Sequence, residues 1–205
     1  MQSSRVRGAC SNGPADAWRI VHGWISDLIN DVRQTWNQQE ITVFIDCNPS
    51  FTIVTELAMC AADRLLIPFS ADASSKRAVR SVLALVYGVQ RRPGQALSEF
   101  YRNTEQFRMA RPSIYAYVGN RLTQYIKSAT AFRTVVTEIF AEVFAVWQTN
   151  PHLFAIHPSG APAPTNRTSF RRMFEVEIND ANTASVVSGA LGIPMCSLTA
   201  GKKVL

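Results

Sequence analysis

Residues 41–69 read ITVFIDCNPSFTIVTELAMCAADRLLIPF, and this stretch decides the fold. Ile41-Thr42-Val43-Phe44-Ile45-Asp46 is a run of β-branched and aromatic residues with little alternation. Such a run predicts a strand buried on both faces, as in a parallel sheet covered by helices. Asn48-Pro49-Ser50 breaks it, and Phe51 to Ala62 reads as a helix that Ser50 can cap. Arg64-Leu65-Leu66-Ile67-Pro68-Phe69 is a second buried strand, ended by the polar turn Ser70-Ala71-Asp72.

The same alternation continues outward. Upstream, residues 1–16 read as a flexible start. A helix from Ala17 to about Gln38 then carries Trp18, Val21, Trp24, Ile25, Leu28, Ile29 and Val32 at spacings of three and four. Downstream, Asp72 or Ser74 caps a helix through about Gln90 whose buried stripe is Val79, Val82, Leu83 and Val86, closed by Arg91-Arg92-Pro93-Gly94. Residues 95–110 are a short polar helix or an irregular excursion. Ser113–Val118 is a third strand, and residues 128–147 form a helix with Phe132, Val135, Val136, Ile139, Phe140, Val143, Phe144 and Trp147 on one face. A fourth short strand is expected at His152–Ile156, a loop at Pro158–Asn166, a helical turn at Ser169–Phe174 and a last helix at Asn182–Leu191, with Gly192 just beyond its end. The expectation is therefore one α/β domain over 1–205: three layers, a mainly parallel sheet flanked by helices, and ligands at the carboxyl ends of its strands.

The chain is basic, with 21 Lys and Arg against 15 Asp and Glu. The excess is uneven: residues 1–70 hold five basic and seven acidic residues, whereas residues 71–205 hold sixteen and eight. That gradient points to an anionic partner on the second half or to an Arg-rich solvated face. Cys10, Cys47, Cys60 and Cys196 form no CxxC pair, and His22, His152 and His157 have no metal-binding spacing, which argues against a zinc site and for free thiols in a reducing compartment. No apolar leader follows Met1 and no apolar run approaches the ~18 residues that span a bilayer, so a cytoplasmic protein without a membrane partner is expected.

Three linked blocks carry a family resemblance. Phe44-Ile45-Asp46-Cys47-Asn48-Pro49-Ser50, then Ala61-Ala62-Asp63, then Leu65-Leu66-Ile67-Pro68 resemble, at the same intervals, the IDxPPS strand end, AAD helix end and LIP strand end of the ParA family of partition ATPases. Val118-Gly119-Asn120-Arg121 resembles that family's "lNR" strand end, and Asn182-Thr183 through Gly192-Ile193-Pro194 its closing helix and turn. The resemblance implies a P-loop NTPase-like fold. It makes Asp46 the Walker B acid, holding Mg²⁺ through water, and gives Asn120 and Arg121 to the nucleotide. Taken alone, a strand-end Asp also serves as a helix cap, Asn120 as a turn residue after Gly119 and Arg121 as a surface ion-pair partner. Asn48 departs from the family, which has a proline there.

The phosphate cradle of the family is not in these residues. Its Gly-rich loop, KGGxGKT, and its DxDxQ strand would lie before residue 1, so the fold is expected to be incomplete at its N-terminal end, with unpaired edges where the family's first strand stands beside the Walker B strand. Without the loop's Lys and backbone N–H groups, hydrolysis by these residues alone is not expected. In its full-length form the family is an ATP-dependent homodimer on DNA whose hydrolysis is stimulated by a centromere-binding, ParB-like partner, and it moves plasmid or chromosome cargo. A non-catalytic DNA- or protein-binding regulatory module on a degenerate ParA-like scaffold is the alternative. The resemblance suggests Arg167, Arg171 and Arg172 for contact with nonspecific DNA, with Lys76, Arg77 and Arg80 as a second group. Pairing of Arg171 and Arg172 with Glu175 and Glu177 is the competing use of that cluster.

Overall fold

The computed structural model describes residues 14–37, 39–47, 51–70, 72–90, 92, 94–122, 129–179, 183–194 and 197. In chain order the elements are α1 (Ala17–Thr35), α2 (Ile53–Ala61), β1 (Arg64–Phe69), α3 (Ala73–Tyr87), α4 (Glu99–Gln106), β2 (Ser113–Leu122), α5 (Ala129–Thr149), a 3₁₀ turn (Pro151–Leu153), α6 (Arg167–Phe174), β3 (Glu175–Asn179) and α7 (Thr183–Leu191). The three strands form one sheet in the order β1-β2-β3, parallel throughout. Helical connections between successive parallel strands make this an α/β architecture. Among the described residues no helix is long and apolar enough to cross a membrane.

The register sorts side chains to two unequal faces. Ile67, Tyr117 and Glu175 stand side by side, as do Pro68, Val118 and Val176. The first row faces α5 and α6: the Tyr117 ring is fully buried, with centroids 6.2 Å from Phe69, 6.1 Å from Phe140 and 6.2 Å from Phe170. Phe170 also packs against Phe144, Trp147, Phe154 and Phe174, so the α5–α6 seam is one aromatic cluster. On the second face Ala116 is buried, but Leu66, Val176 and Ile178 are exposed. Helical cover there does not reach the outer strands.

The α1–α2 pair joins the core through aromatic stacking. Trp18 lies flat between His22, 3.7 Å away, and Phe107, 5.6 Å away. His22 is fully buried; its Nδ1 donates to the Trp18 carbonyl at 2.9 Å and its Nε2 faces Glu56 of α2 at 3.2 Å. A carbonyl only accepts, so Nδ1 carries the proton and Nε2 is the atom that answers to Glu56. The outer side of α1 leaves Ile20, Trp24 and Leu28 exposed, a second apolar stripe that the helical spacing did not separate from the buried one.

Several elements differ from the sequence expectation. Ile41–Asp46 is not a strand: it has no ladder partner among the described residues, and Phe44 is 84% exposed. A strand buried on both faces needs hydrogen-bonded neighbours, and the sheet ends at β1 instead of continuing to this segment. His152–Ile156 forms a 3₁₀ turn and a single bridge, Phe154 with Ile114, in place of a strand. β3 was not expected at all. α3 stops at Gly88, in the left-handed region at φ 66°, and does not run on to Gln90. Elsewhere the expectation holds: Asp72 caps α3, accepting from the Ser75 N–H, and Val79, Leu83 and Val86 are its buried stripe. Residues 99–106 form the short helix, capped by Ser98, and α7 ends before Gly192 at φ 63°. α2 begins at Ile53 with Thr52 in the N-cap position and no side-chain cap bond, so Ser50 is not its cap; residues 1–13 and 48–50 lie outside the described residues.

Gly88 is required twice over. Its φ suits glycine, and a Cβ there would stand 2.9 Å from Tyr101 Cε1. Gly94 has a similar φ of 81° but nothing within 4 Å of a Cβ. Gly94→Ala should therefore cost only the left-handed strain of about 1–2 kcal/mol, whereas Gly88→Ala costs that plus displacement of Tyr101. Urea unfolding of the two variants measures the difference, and equal losses would contradict the contact.

Candidate functional site

The carboxyl end of the sheet is where an α/β domain collects a ligand. β1 runs out at Phe69, and α3 begins four residues beyond, at Ala73. The N–H groups of a helix start attract anions, yet here the chain supplies its own. The Asp72 carboxylate accepts from the Ser75 N–H at 2.8 Å, from Ser74 Oγ at 2.5 Å and from Ser75 Oγ at 3.0 Å. Those bonds, the one from Ser74 first, hold its carboxyl below the usual range. Asn120, expected to read a nucleotide, is exposed near the end of β2. The Arg121 backbone lies in β2, and its side chain is outside the described residues.

Asp46, the expected Mg²⁺ ligand, is exposed at the end of the unpaired segment 41–46. Among the described residues no group of three His, Cys, Asp or Glu side chains comes close enough to hold a metal ion. Its neighbour Cys47 is a free thiol pushed up first by burial and then by the Asp46 charge; Cys60, also free, is pushed up to about 12 by burial and by Glu56. Neither thiol is poised as a nucleophile. Cys10 and Cys196 lie outside the described residues. A lone exposed carboxylate and an exposed amide, with no phosphate-binding backbone described between them, do not make a seat for Mg·ATP. A shallow depression of about 290 Å³ lies elsewhere, between Phe51, the second half of α3 and the 95–98 segment.

The six cations expected to contact DNA divide into two groups. Lys76 bonds Glu138 at 2.5 Å, and Arg80 Nε bonds both carboxylate oxygens of Glu142. Residues 76 and 80 are one turn apart on α3, as 138 and 142 are on α5, so the two pairs form a ladder that fastens α3 to α5. No sequence signal marks this pairing, because the partners stand 62 residues apart and meet only where the topology lays α3 against α5. Arg171 bonds Glu175 and approaches Glu177 at 3.6 Å, the competing use anticipated for it. Burial of the Glu175 side chain raises its pKa, and the Arg171 bond offsets part of that rise. Arg77 and Arg172 are exposed and have no carboxylate partner among the described residues. The Arg167 guanidinium lies 4.9 Å from the Phe140 ring centroid, fixed by cation–π contact, with its charge unneutralised by any described carboxylate.

No family model, no curated protein and no solved structure matches the chain. The likeness to ParA therefore stands on the sequence blocks alone.

The α3–α5 ladder yields a graded expectation. Arg80 and Glu142 are each less than one-third exposed, so a double-mutant cycle on Arg80→Ala and Glu142→Ala should return a coupling of about 1 kcal/mol. Glu138 is half exposed, and the Lys76–Glu138 cycle should return a weaker coupling than the Arg80–Glu142 cycle. Coupling confined to the outer pair would contradict this arrangement.

Proposed function

We propose that this chain is a ParA-like α/β scaffold that acts by binding DNA and does not hydrolyse ATP, in line with a non-catalytic regulatory module. The observation that carries the reading is the setting of Asp46. The acid that matches the Walker B position is solvent-exposed on a segment outside the sheet, and the 205 residues contain no Gly-rich loop with a Lys followed by Ser or Thr. Phosphoryl transfer is catalysed by positioning and electrostatic clamping, and neither can be assembled from one exposed carboxylate.

DNA is the partner that asks least of the protein. Nonspecific contact with a phosphate backbone needs fixed cations and no base-reading element. Support comes from the basic excess of the second half and from Arg77, Arg167 and Arg172, whose charges no described carboxylate neutralises. Asn120 and Arg121 keep their likeness to the family's strand end without a nucleotide role in this reading. The ParB-like partner and the ATP-driven dimer of the family have no counterpart in the described residues and are not part of it.

Binding to random-sequence duplex DNA, followed by gel shift across a salt series, tests the proposal. Log affinity should fall linearly with log salt, and Arg77→Ala and Arg172→Ala should each reduce the slope by about one. Lys76→Ala and Arg171→Ala should reduce it less. An affinity indifferent to salt would refute DNA contact, and ATP turnover abolished by Asp46→Ala would refute the non-catalytic reading.

A further inference from the structure

Two parts of the chain have unmet demands of the same kind. Ile41–Asp46 consists of Ile, Thr, Val, Phe, Ile and Asp, with no Gly or Pro, a composition suited to a strand. It makes no backbone hydrogen bond to another element among the described residues, and Val43 and Phe44 are exposed at 46% and 84%. β1, also six residues long, is bonded among the described residues to β2 on one side only, so alternate residues of its outer edge direct N–H and C=O groups away from the sheet. Leu66 stands exposed on the face beside that edge. Exposed apolar strand formers and open edges are both pairing hazards that folded proteins ordinarily cover.

The charges of the two parts are complementary. Residues 40–46 carry Glu40 at one end and Asp46 at the other and no cation. Residues 64–69 carry Arg64 and no acid, and Arg64 is exposed with no carboxylate partner among the described residues. A parallel addition brings Glu40 beside Arg64, and an antiparallel one brings Asp46 there. Either direction pairs opposite charges across neighbouring strands.

We infer that two copies of this chain associate by reciprocal strand addition, Ile41–Asp46 of each copy extending the sheet of the other at the free edge of β1. One copy leaves both the strand former and the edge unpaired, whereas a symmetric exchange satisfies both with a single self-complementary contact and closes at two copies. Pro68 lacks an N–H and limits the ladder near one end of the edge, which leaves the centre, around Leu66 and Ile67, as the anchor. Phe44 then shares the face of Leu66 and Val43 the opposite face, and both remove apolar surface from water. This association is independent of DNA binding and of the proposed function.

Sedimentation velocity of the 205-residue chain over a concentration series tests it. A reversible monomer–dimer equilibrium is expected. Val43→Pro, on the added strand, and Leu66→Lys, on the receiving edge, should each weaken it by about tenfold or more. Both positions are exposed in the single copy, so far-UV circular dichroism should not change. A second measurement does not depend on those variants folding. In a background with the four native cysteines replaced by serine, chains carrying Phe44→Cys are mixed with chains carrying Leu66→Cys or Pro68→Cys, because the antiparallel register sets residue 44 opposite 66 and the parallel register sets it opposite 68. Disulfide formation between the two kinds of chain, in preference to pairing within each kind, supports the exchange. A chain monomeric at every concentration, a dimer untouched by both variants, or the absence of mixed disulfide overturns it.

Discussion

The burial of Tyr117 at the centre of a doubly bonded strand is the constraint on which the rest of the structure depends. β2 is the strand with a parallel partner on each side, and Tyr117 is its fully buried large residue facing α5 and α6. Phe69 reaches it from β1, Phe140 from α5 and Phe170 from α6, so one ring couples β2 to three other elements. The arrangement carries a cost: the Tyr117 hydroxyl is buried without a hydrogen-bond partner among the described residues, a penalty of about 1–3 kcal/mol. The ring's apolar burial, worth about 1.5–3 kcal/mol, together with the aromatic contacts around it, offsets that loss. α3 and α5 cover the same side and are tied to each other by the Lys76–Glu138 and Arg80–Glu142 ladder. Cations that a charge count assigns to a ligand are here committed to holding two helices together.

The opposite side and the edge of the sheet follow a different logic. Leu66, Val176 and Ile178 face outward, β1 has one neighbour, and a strand-forming segment lies unpaired. In a self-contained α/β domain each of these would be covered. Among the described residues the sheet is thus covered on the Tyr117 face and partly open on the other. The carboxylate that resembles a catalytic acid belongs to the unpaired segment, so whatever completes the sheet also decides where Asp46 stands.

Much of this was legible in the sequence because most elements are determined locally. The Val79, Leu83 and Val86 stripe, the Asp72 cap and the Gly192 terminus each depend on residues within one or two turns. What could not be read there depends on partners far along the chain. Ile41–Asp46 has every residue preference of a buried strand, but a ladder needs a neighbour, and none is described beside it. β3 shows the converse. Glu175-Val176-Glu177-Ile178 alternates with the period of a strand, while the spacing of Arg171 to Glu175 also fits a helical ion pair. The structure keeps both: α6 ends at Phe174, and Arg171 still reaches Glu175 across the junction. The site was less legible than the fold, since the free or paired state of each Arg is set by which acids the topology brings opposite it.

Native-state hydrogen exchange, at a protein dilution that keeps the chain monomeric, tests the central claim most directly: that β2 organises the sheet and Ile41–Asp46 lies outside it. The amides of Ile114–Val118 should be among the most protected in the molecule, and those of Thr42–Ile45 should exchange at close to the rate of an unstructured peptide. Protection of Thr42–Ile45 comparable to that of β2 under those conditions would contradict the account, because it would place the segment in the sheet of the single copy.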